Sequence, residues 1–201
     1  HCGQAGIVGS LGCAFSTITG NEIHDIRKNH NYGGCETAGI KLHGAVDVVI
    51  ANNHIYNCEH WGGIWLDWMG QGARVCGNLM HDNSNDLMFE VNHGPMLIDN
   101  NILLSQGGVR DASGGGAYVH NLVLGVQSIW ADLEQRQTPI FMPHSIDVIP
   151  DDPSVPVSEQ TLNAMFGAIV DQDDDRFYNN LFVKTSATSA YDQHDFKIKV
   201  G

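Results

Sequence analysis

Apolar and polar residues alternate at period 2 in short runs along much of the chain. Examples are Val46-Asp47-Val48-Val49-Ile50, Gly63-Ile64-Trp65-Leu66-Asp67-Trp68 and Leu87-Met88-Phe89-Glu90-Val91. Runs of this kind, bounded by Gly, Asn and Asp, predict short β-strands. A second pattern lies over the first: apolar, two residues, Asn, one residue, apolar. It reads Ile18-x-x-Asn21-x-Ile23, Ile50-x-x-Asn53-x-Ile55, Val75-x-x-Asn78-x-Met80, Ile98-x-x-Asn101-x-Leu103, Tyr118-x-x-Asn121-x-Val123 and Phe177-x-x-Asn180-x-Phe182. The Asn residues follow one another at steps of 32, 25, 23, 20 and 59. Steps of 20 to 25 fit one turn of a solenoid, and the longer ones fit turns with insertions.

Helical repeats need a 3.6-residue period over about 33 residues or more, and leucine-rich repeats need Leu at fixed offsets. Neither is present. An all-β, right-handed parallel β-helix fits: three short strands per coil, with coils stacked about 4.8 Å apart. The Asn column then belongs to the scaffold. Each Asn is expected at a bend, where it tolerates the left-handed conformation and bonds the Asn of the next coil. The prediction is one partial β-helix domain over 1–201. Residues 126–175, with five prolines and the run Asp171–Asp175, interrupt the pattern as an excursion. Glu159–Val170 within it has the spacing of a short helix. The strands resume at Phe177.

Aligning three coils places Ile40-Lys41-Leu42-His43 over Ile64-Trp65-Leu66-Asp67 and over Leu87-Met88-Phe89-Glu90. Ile40, Ile64 and Leu87 make one inward column, and Leu42, Leu66 and Phe89 another. By alternation His43, Asp67 and Glu90 point outward from adjacent coils. Like charges on neighbouring strands destabilise a sheet, so folding alone gives no reason to keep Asp67 beside Glu90. One coil of separation suits the carboxyl spacing of about 5–5.5 Å found in retaining glycosidases; inverting enzymes need about 6.5–9.5 Å. Repulsion raises the pKa of one member, leaving one carboxylate as nucleophile and one acid as proton donor. Trp61, Trp65 and Trp68 cluster around Asp67. Trp65 is expected outward as a platform for a sugar ring, while Trp68 faces inward or closes the strand and is expected in the core. Glu36, His43, Asn92 and His93 are placed to bond sugar hydroxyls. His24, His54 and His81 flank the repeated Asn and read as turn residues rather than ligands.

Composition narrows the partners. The formal charge of −13 makes duplex nucleic acid and anionic membranes poor partners. Charged residues are 16%, below the usual quarter, and Gly is high at 23 residues. No apolar stretch is long enough to span a membrane. No signal peptide is visible, and the chain opens mid-pattern at His1-Cys2-Gly3, as a piece of a longer polypeptide would. Five cysteines, an odd number with no zinc spacing, read as reduced and mostly buried thiols in a cytoplasmic protein. A Cys35–Cys58 disulfide is the lesser option. No metal site and no cofactor are expected; calcium at Asp171–Asp175 is the weaker alternative to a solvated loop.

The segments Gly62-Gly63-Ile64-Trp65-Leu66-Asp67-Trp68-Met69-Gly70-Gln71-Gly72 and Phe89-Glu90-Val91-Asn92-His93-Gly94-Pro95 resemble the β-xylosidases of glycoside hydrolase family 120. Asp175-Arg176-Phe177-Tyr178-Asn179-Asn180-Leu181-Phe182-Val183 is similar to the same family. The resemblance covers most of the chain, as the later part of the β-helix of a longer enzyme. It implies a retaining, exo-acting β-xylosidase on xylobiose and short xylo-oligosaccharides, with Asp67 as nucleophile and Glu90 as acid/base. It also implies a homo-oligomer and a β-sandwich insertion earlier in the β-helix, which this chain does not contain.

Two rival readings remain. A β-helix polysaccharide lyase or epimerase needs cations to neutralise a uronate, and Lys41, Arg74 and Arg110 are the candidates near the column. A non-catalytic carbohydrate-binding solenoid needs no acidic pair.

Overall fold

The computed structural model describes residues 2–10, 13–30, 36–68, 70–90, 92, 94–125, 127–129 and 175–183. Each coil supplies three strands. The first coil is β1 (Ala5–Gly9), β2 (Thr17–Thr19) and β3 (Glu22–Ile26), and the second is β4 (Ala38–His43), β5 (Val49–Ala51) and β6 (His54–Cys58). The third is β7 (Ile64–Asp67), β8 (Arg74–Cys76) and β9 (Leu79–His81), and the fourth is β10 (Leu87–Glu90), β11 (Met96–Asp99) and β12 (Ile102–Leu103). The fifth is β13 (Val109–Ala112), β14 (Gly116–Val119) and β15 (Leu122–Leu124), and the last is β16 (Gln127–Ile129), β17 (Arg176–Tyr178) and β18 (Leu181–Val183). First strands, second strands and third strands each form a six-stranded parallel sheet. Among the described residues there is no helix. Parallel crossovers of this kind wind right-handed, so the architecture is the right-handed parallel β-helix expected from the repeat.

Alternation sets the core. Ile40, Ile64 and Leu87 lie in register, as do Leu42, Leu66 and Phe89, and all six are buried inside the coil. Each such side chain contributes about 1.5–3 kcal/mol on burial.

The Asn column is continuous. Asn21 bonds to Asn53, and the chain runs on through Asn78, Asn101 and Asn121 to Asn180. Each Oδ1 from Asn53 onward accepts both the backbone amide and the Nδ2 of the Asn one coil earlier, at 2.8–3.0 Å. One detail differs from expectation. The left-handed residue is the one before each ladder Asn: Gly20, Asn52, Gly77, Asn100, His120 and Asn179 have φ between 51° and 68°. The bend is made there, which leaves the Asn side chain free to turn inward and act as the rung.

The strand β16 extends the first sheet into the segment read as an excursion, while residues 130–174 lie outside the described residues. The short helix expected at 159–170 falls there. The cysteines also depart from the reading. Cys58 is buried and burial pushes its thiol up to about 12, but Cys2 is exposed and Cys13 and Cys76 are half-buried. All four are free thiols; Cys35 lies outside the described residues. They sit at strand ends and turns, where the inward parity of the strands no longer applies.

Candidate active site

Two outward columns cross the first sheet. Lys41, Trp65, Met88 and Arg110 are in register, and beside them run His43, Asp67, Glu90 and Ala112. The second column occupies the last residues of β4, β7 and β10, where the chain leaves the sheet. Gly44 turns at φ 59°, and its amide donates to the Trp68 carbonyl at 2.7 Å. Trp68 itself has φ 65°, a conformation that is costly for a bulky side chain and recurs at functional sites. These turns end the strands at one level, so His43, Asp67 and Glu90 project from a common rim.

Asp67 is held through one oxygen. Its Oδ2 accepts from Lys41 Nζ at 2.5 Å and lies 3.0 Å from His43 Nε2. Among the described residues no hydrogen bond reaches Oδ1. Glu36 closes the group, with Oε2 3.4 Å from Lys41 Nζ and 3.5 Å from His43 Nε2. Lys41 has no exposed surface, and its ammonium lies 2.9 Å from the centroid of the Trp65 ring. Burial pulls its pKa below the usual lysine range, while the Asp67 contact pulls the other way.

Glu90 differs. Burial pushes its carboxyl above the usual range, and the Asp67 charge adds to the rise; Lys41 and Arg110 oppose it. Two carboxyls on adjacent rungs therefore sit in unlike surroundings. One has an ammonium and an imidazole on a single oxygen, and the other is desolvated and favours its protonated form.

The structure places Glu36, His43, Asp67 and Glu90 on one face of the first sheet, and it revises the aromatic residues. Trp65 points outward but is buried at 3% exposure, packed with Ala38 and Met88 under the edge of Trp61. It supports Lys41 instead of offering an open platform, because an outward position on a sheet can still be covered by its neighbours. Trp61 is half-buried, tilted against Trp65 at 5.6 Å, with the Arg110 guanidinium 4.8 Å from its ring. Trp68, expected in the core whether facing inward or closing the strand, follows the last residue of β7 and stands half-buried with its ring edge-on to His43 at 6.3 Å, because its positive φ breaks the strand parity.

Asn92 is also corrected. It is fully buried, and its Oδ1 accepts the Gly70 amide at 3.0 Å while its Nδ2 donates to the Leu66 carbonyl at 2.9 Å. It forms part of a second scaffold ladder with Ser113 and has no group left for a hydroxyl. His93 lies outside the described residues. Arg74 belongs to the second sheet, in a two-pronged pair with Asp99 at 2.8 Å, away from the column. The residue that the hydrolase reading left without a role is Lys41, which entered only as a candidate cation for the lyase reading. Its signal was present: a lysine at an outward position one register step from Trp65.

Glu36, His43 and Asp67 offer three donor atoms within 4.8 Å of one another, a set that a divalent cation could use. The Lys41 ammonium already contacts both carboxylates, which puts a positive charge where a metal's would go. Of the Asp171–Asp175 run only Asp175 is described, and its Oδ1 accepts the Gly116 amide at 2.6 Å.

Comparison with known proteins gives two matches. The family described as right handed beta helix region matches residues 1–124. A solved structure of XylC in complex with xylose is similar over 91% of this chain, at 36% identity and a TM-score of 0.67. The chain spans 26% of the length of that protein. No curated protein matches.

Proposed function

From the premise that this chain belongs to the family of right-handed β-helix regions, we propose that it is the catalytic β-helix segment of a retaining, exo-acting β-xylosidase of the glycoside hydrolase family 120 kind. The substrates are xylobiose and short xylo-oligosaccharides. The observation that carries the reading is the asymmetric carboxyl pair: Asp67 and Glu90 in register on adjacent rungs, with Lys41 and His43 on one Asp67 oxygen and burial favouring the acid form of Glu90. The likeness to a protein solved with xylose supports the choice of sugar.

The residues divide the work as follows. Asp67 Oδ1 attacks the anomeric carbon and the glycosidic C–O bond breaks. Glu90 gives its proton to the leaving oxygen, and an ester forms between the sugar and Asp67. Glu90, now a carboxylate, takes a proton from water, whose oxygen attacks the same carbon and releases Asp67. Xylose leaves with its configuration retained. Lys41 and His43 hold Oδ2, so that the attacking oxygen is oriented before substrate arrives. Homo-oligomeric assembly and a cytoplasmic location belong to the same proposal.

The test uses the whole protein that carries this chain, with an aryl β-xyloside and proton NMR. The β-anomer of xylose forms first, Asp67→Asn and Glu90→Gln each lose at least a thousandfold in kcat, and azide restores turnover to Glu90→Ala as the β-xylosyl azide. Normal activity in either variant, or the α-anomer first, rules the mechanism out. The lyase reading is the weaker one, because Lys41 is committed to Asp67 and Glu36. It predicts an unsaturated product absorbing in the ultraviolet.

A further inference from the structure

Along its column Glu90 has an acid on one side and a methyl group on the other: Asp67 on β7 and Ala112 on β13. Neither is a countercharge for a carboxylate. Arg110 stands two residues before Ala112 on the same outward face, in register with Met88, which makes it a diagonal neighbour of Glu90. Diagonal neighbours on one face of a sheet are about 7–8 Å apart, within reach of a long side chain. The Arg110 guanidinium lies 4.8 Å from the centroid of the Trp61 ring, in the turn that leads into β7. Strand β10 runs between β13 and β7. The arm of Arg110 therefore crosses β10 at the level of the buried Met88, two residues before Glu90 on the same face. Among the described residues, the outward cations of the first sheet are Lys41 and Arg110. Lys41 is held by Asp67 and Glu36, and Arg110 stands on the Glu90 side.

We propose that Arg110, seated on Trp61, is a positioning residue for Glu90: it is the countercharge for the carboxylate that Glu90 becomes when its proton passes to the leaving oxygen. The inference rests on the proposed hydrolase activity. In the first step the carboxylate of Asp67 bonds to the anomeric carbon, the electron pair of the glycosidic C–O bond goes to the leaving oxygen, and that oxygen takes the Glu90 proton. Asp67 ends as a neutral ester and Glu90 as an anion. One negative charge thus moves from β7 to β10, away from the cation on Asp67 and toward the cation on β13. It returns when Glu90 takes a proton from water and Asp67 is released. A fixed cation at each end suits both states of the cycle. Burial opposes the charged form of Glu90, and Asp67 and Glu36 add to this; Lys41 of β4 and Arg110 of β13 favour it. Burial likewise opposes the charge of Arg110, which Glu90 supports in return. A guanidinium suits the position, because it lies flat on an indole ring and keeps its charge when half-buried.

The test compares leaving groups, in the whole protein that carries this chain. Cleavage of xylobiose needs the Glu90 proton, because a sugar alkoxide leaves poorly; 2,4-dinitrophenolate leaves from its β-xyloside with little help. In Arg110→Met, kcat/KM on xylobiose falls about tenfold, while kcat/KM on the dinitrophenyl substrate falls less than about twofold. The alkaline limb of kcat/KM on xylobiose moves to higher pH, because a charge that favours ionised Glu90 is gone. Arg110→Gln, which keeps a polar arm without the charge, gives the same pattern, and Arg110→Lys stays closer to wild type in both readouts. Circular dichroism checks that each variant is folded. Equal losses on the two substrates, or an alkaline limb that does not move, overturn the proposal and leave the hydrolase reading standing. A wild type that turns over neither substrate overturns both.

Discussion

Glu90 and Lys41 show how local surroundings decide chemistry. Burial raises the pKa of Glu90 first, and Asp67 raises it further, while the Lys41 charge holds it down. In the proposed mechanism Glu90 is the general acid and works while it keeps its proton, so the proposal predicts activity that falls on the alkaline side as pH rises through the pKa of Glu90. Removing Lys41 removes a lowering influence. In Lys41→Met the alkaline limb of kcat/KM therefore moves to higher pH, and the rate falls on the order of a hundredfold because Asp67 loses its alignment. A pH–rate profile checks both. An alkaline limb that stays in place or moves down would show that Lys41 does not act on Glu90. At this scale the acidic residues were legible, because alternation and a 23-residue offset bring Asp67 and Glu90 together. Covering was not legible. Nothing in the alternation says that outward Trp65 is roofed by its neighbours, or that Asn92 spends both ends of its amide on the backbone.

Among elements, the coil is held by its repeated bends as well as by its core. Each interior ladder Asn satisfies a backbone amide and a side-chain amide of the coil before it and a carbonyl on the second strand of that same coil, as Asn78 does for Asn53 and Ile50. Asn78→Ala leaves those buried groups without partners and destabilises the chain by about 2–4 kcal/mol. Urea denaturation measures this; a loss below about 1 kcal/mol would mean that water or backbone shifts replace the rung. The steps between Asn residues made the coil length legible, and with it the register, since each insertion-free coil must return to the same rung. The position of the left-handed residue was not given by the motif, because Gly, Asn and His all occupy it. Only the backbone path shows that the bend precedes the Asn.

Across the whole molecule, three parallel sheets fix which side chains share a face. The first sheet gathers the carboxyl pair with Lys41, His43 and Glu36, and the third gathers His24, His54 and His81, which stand on strands and not in turns. That separation was partly legible. The repeat predicts the sheets, but a strand end with positive φ, as at Trp68, escapes parity and puts an aromatic ring beside His43. The chain covers about a quarter of the length of XylC, so turnover is measured on the whole protein. The most direct measurement uses a 2-fluoro-β-xylosyl fluoride, which slows release of the ester, followed by peptide mass spectrometry. One fluoroxylosyl group is expected, on Asp67. A label on Glu90 or another carboxylate, or turnover of a β-xyloside with Asp67 never labelled, contradicts it.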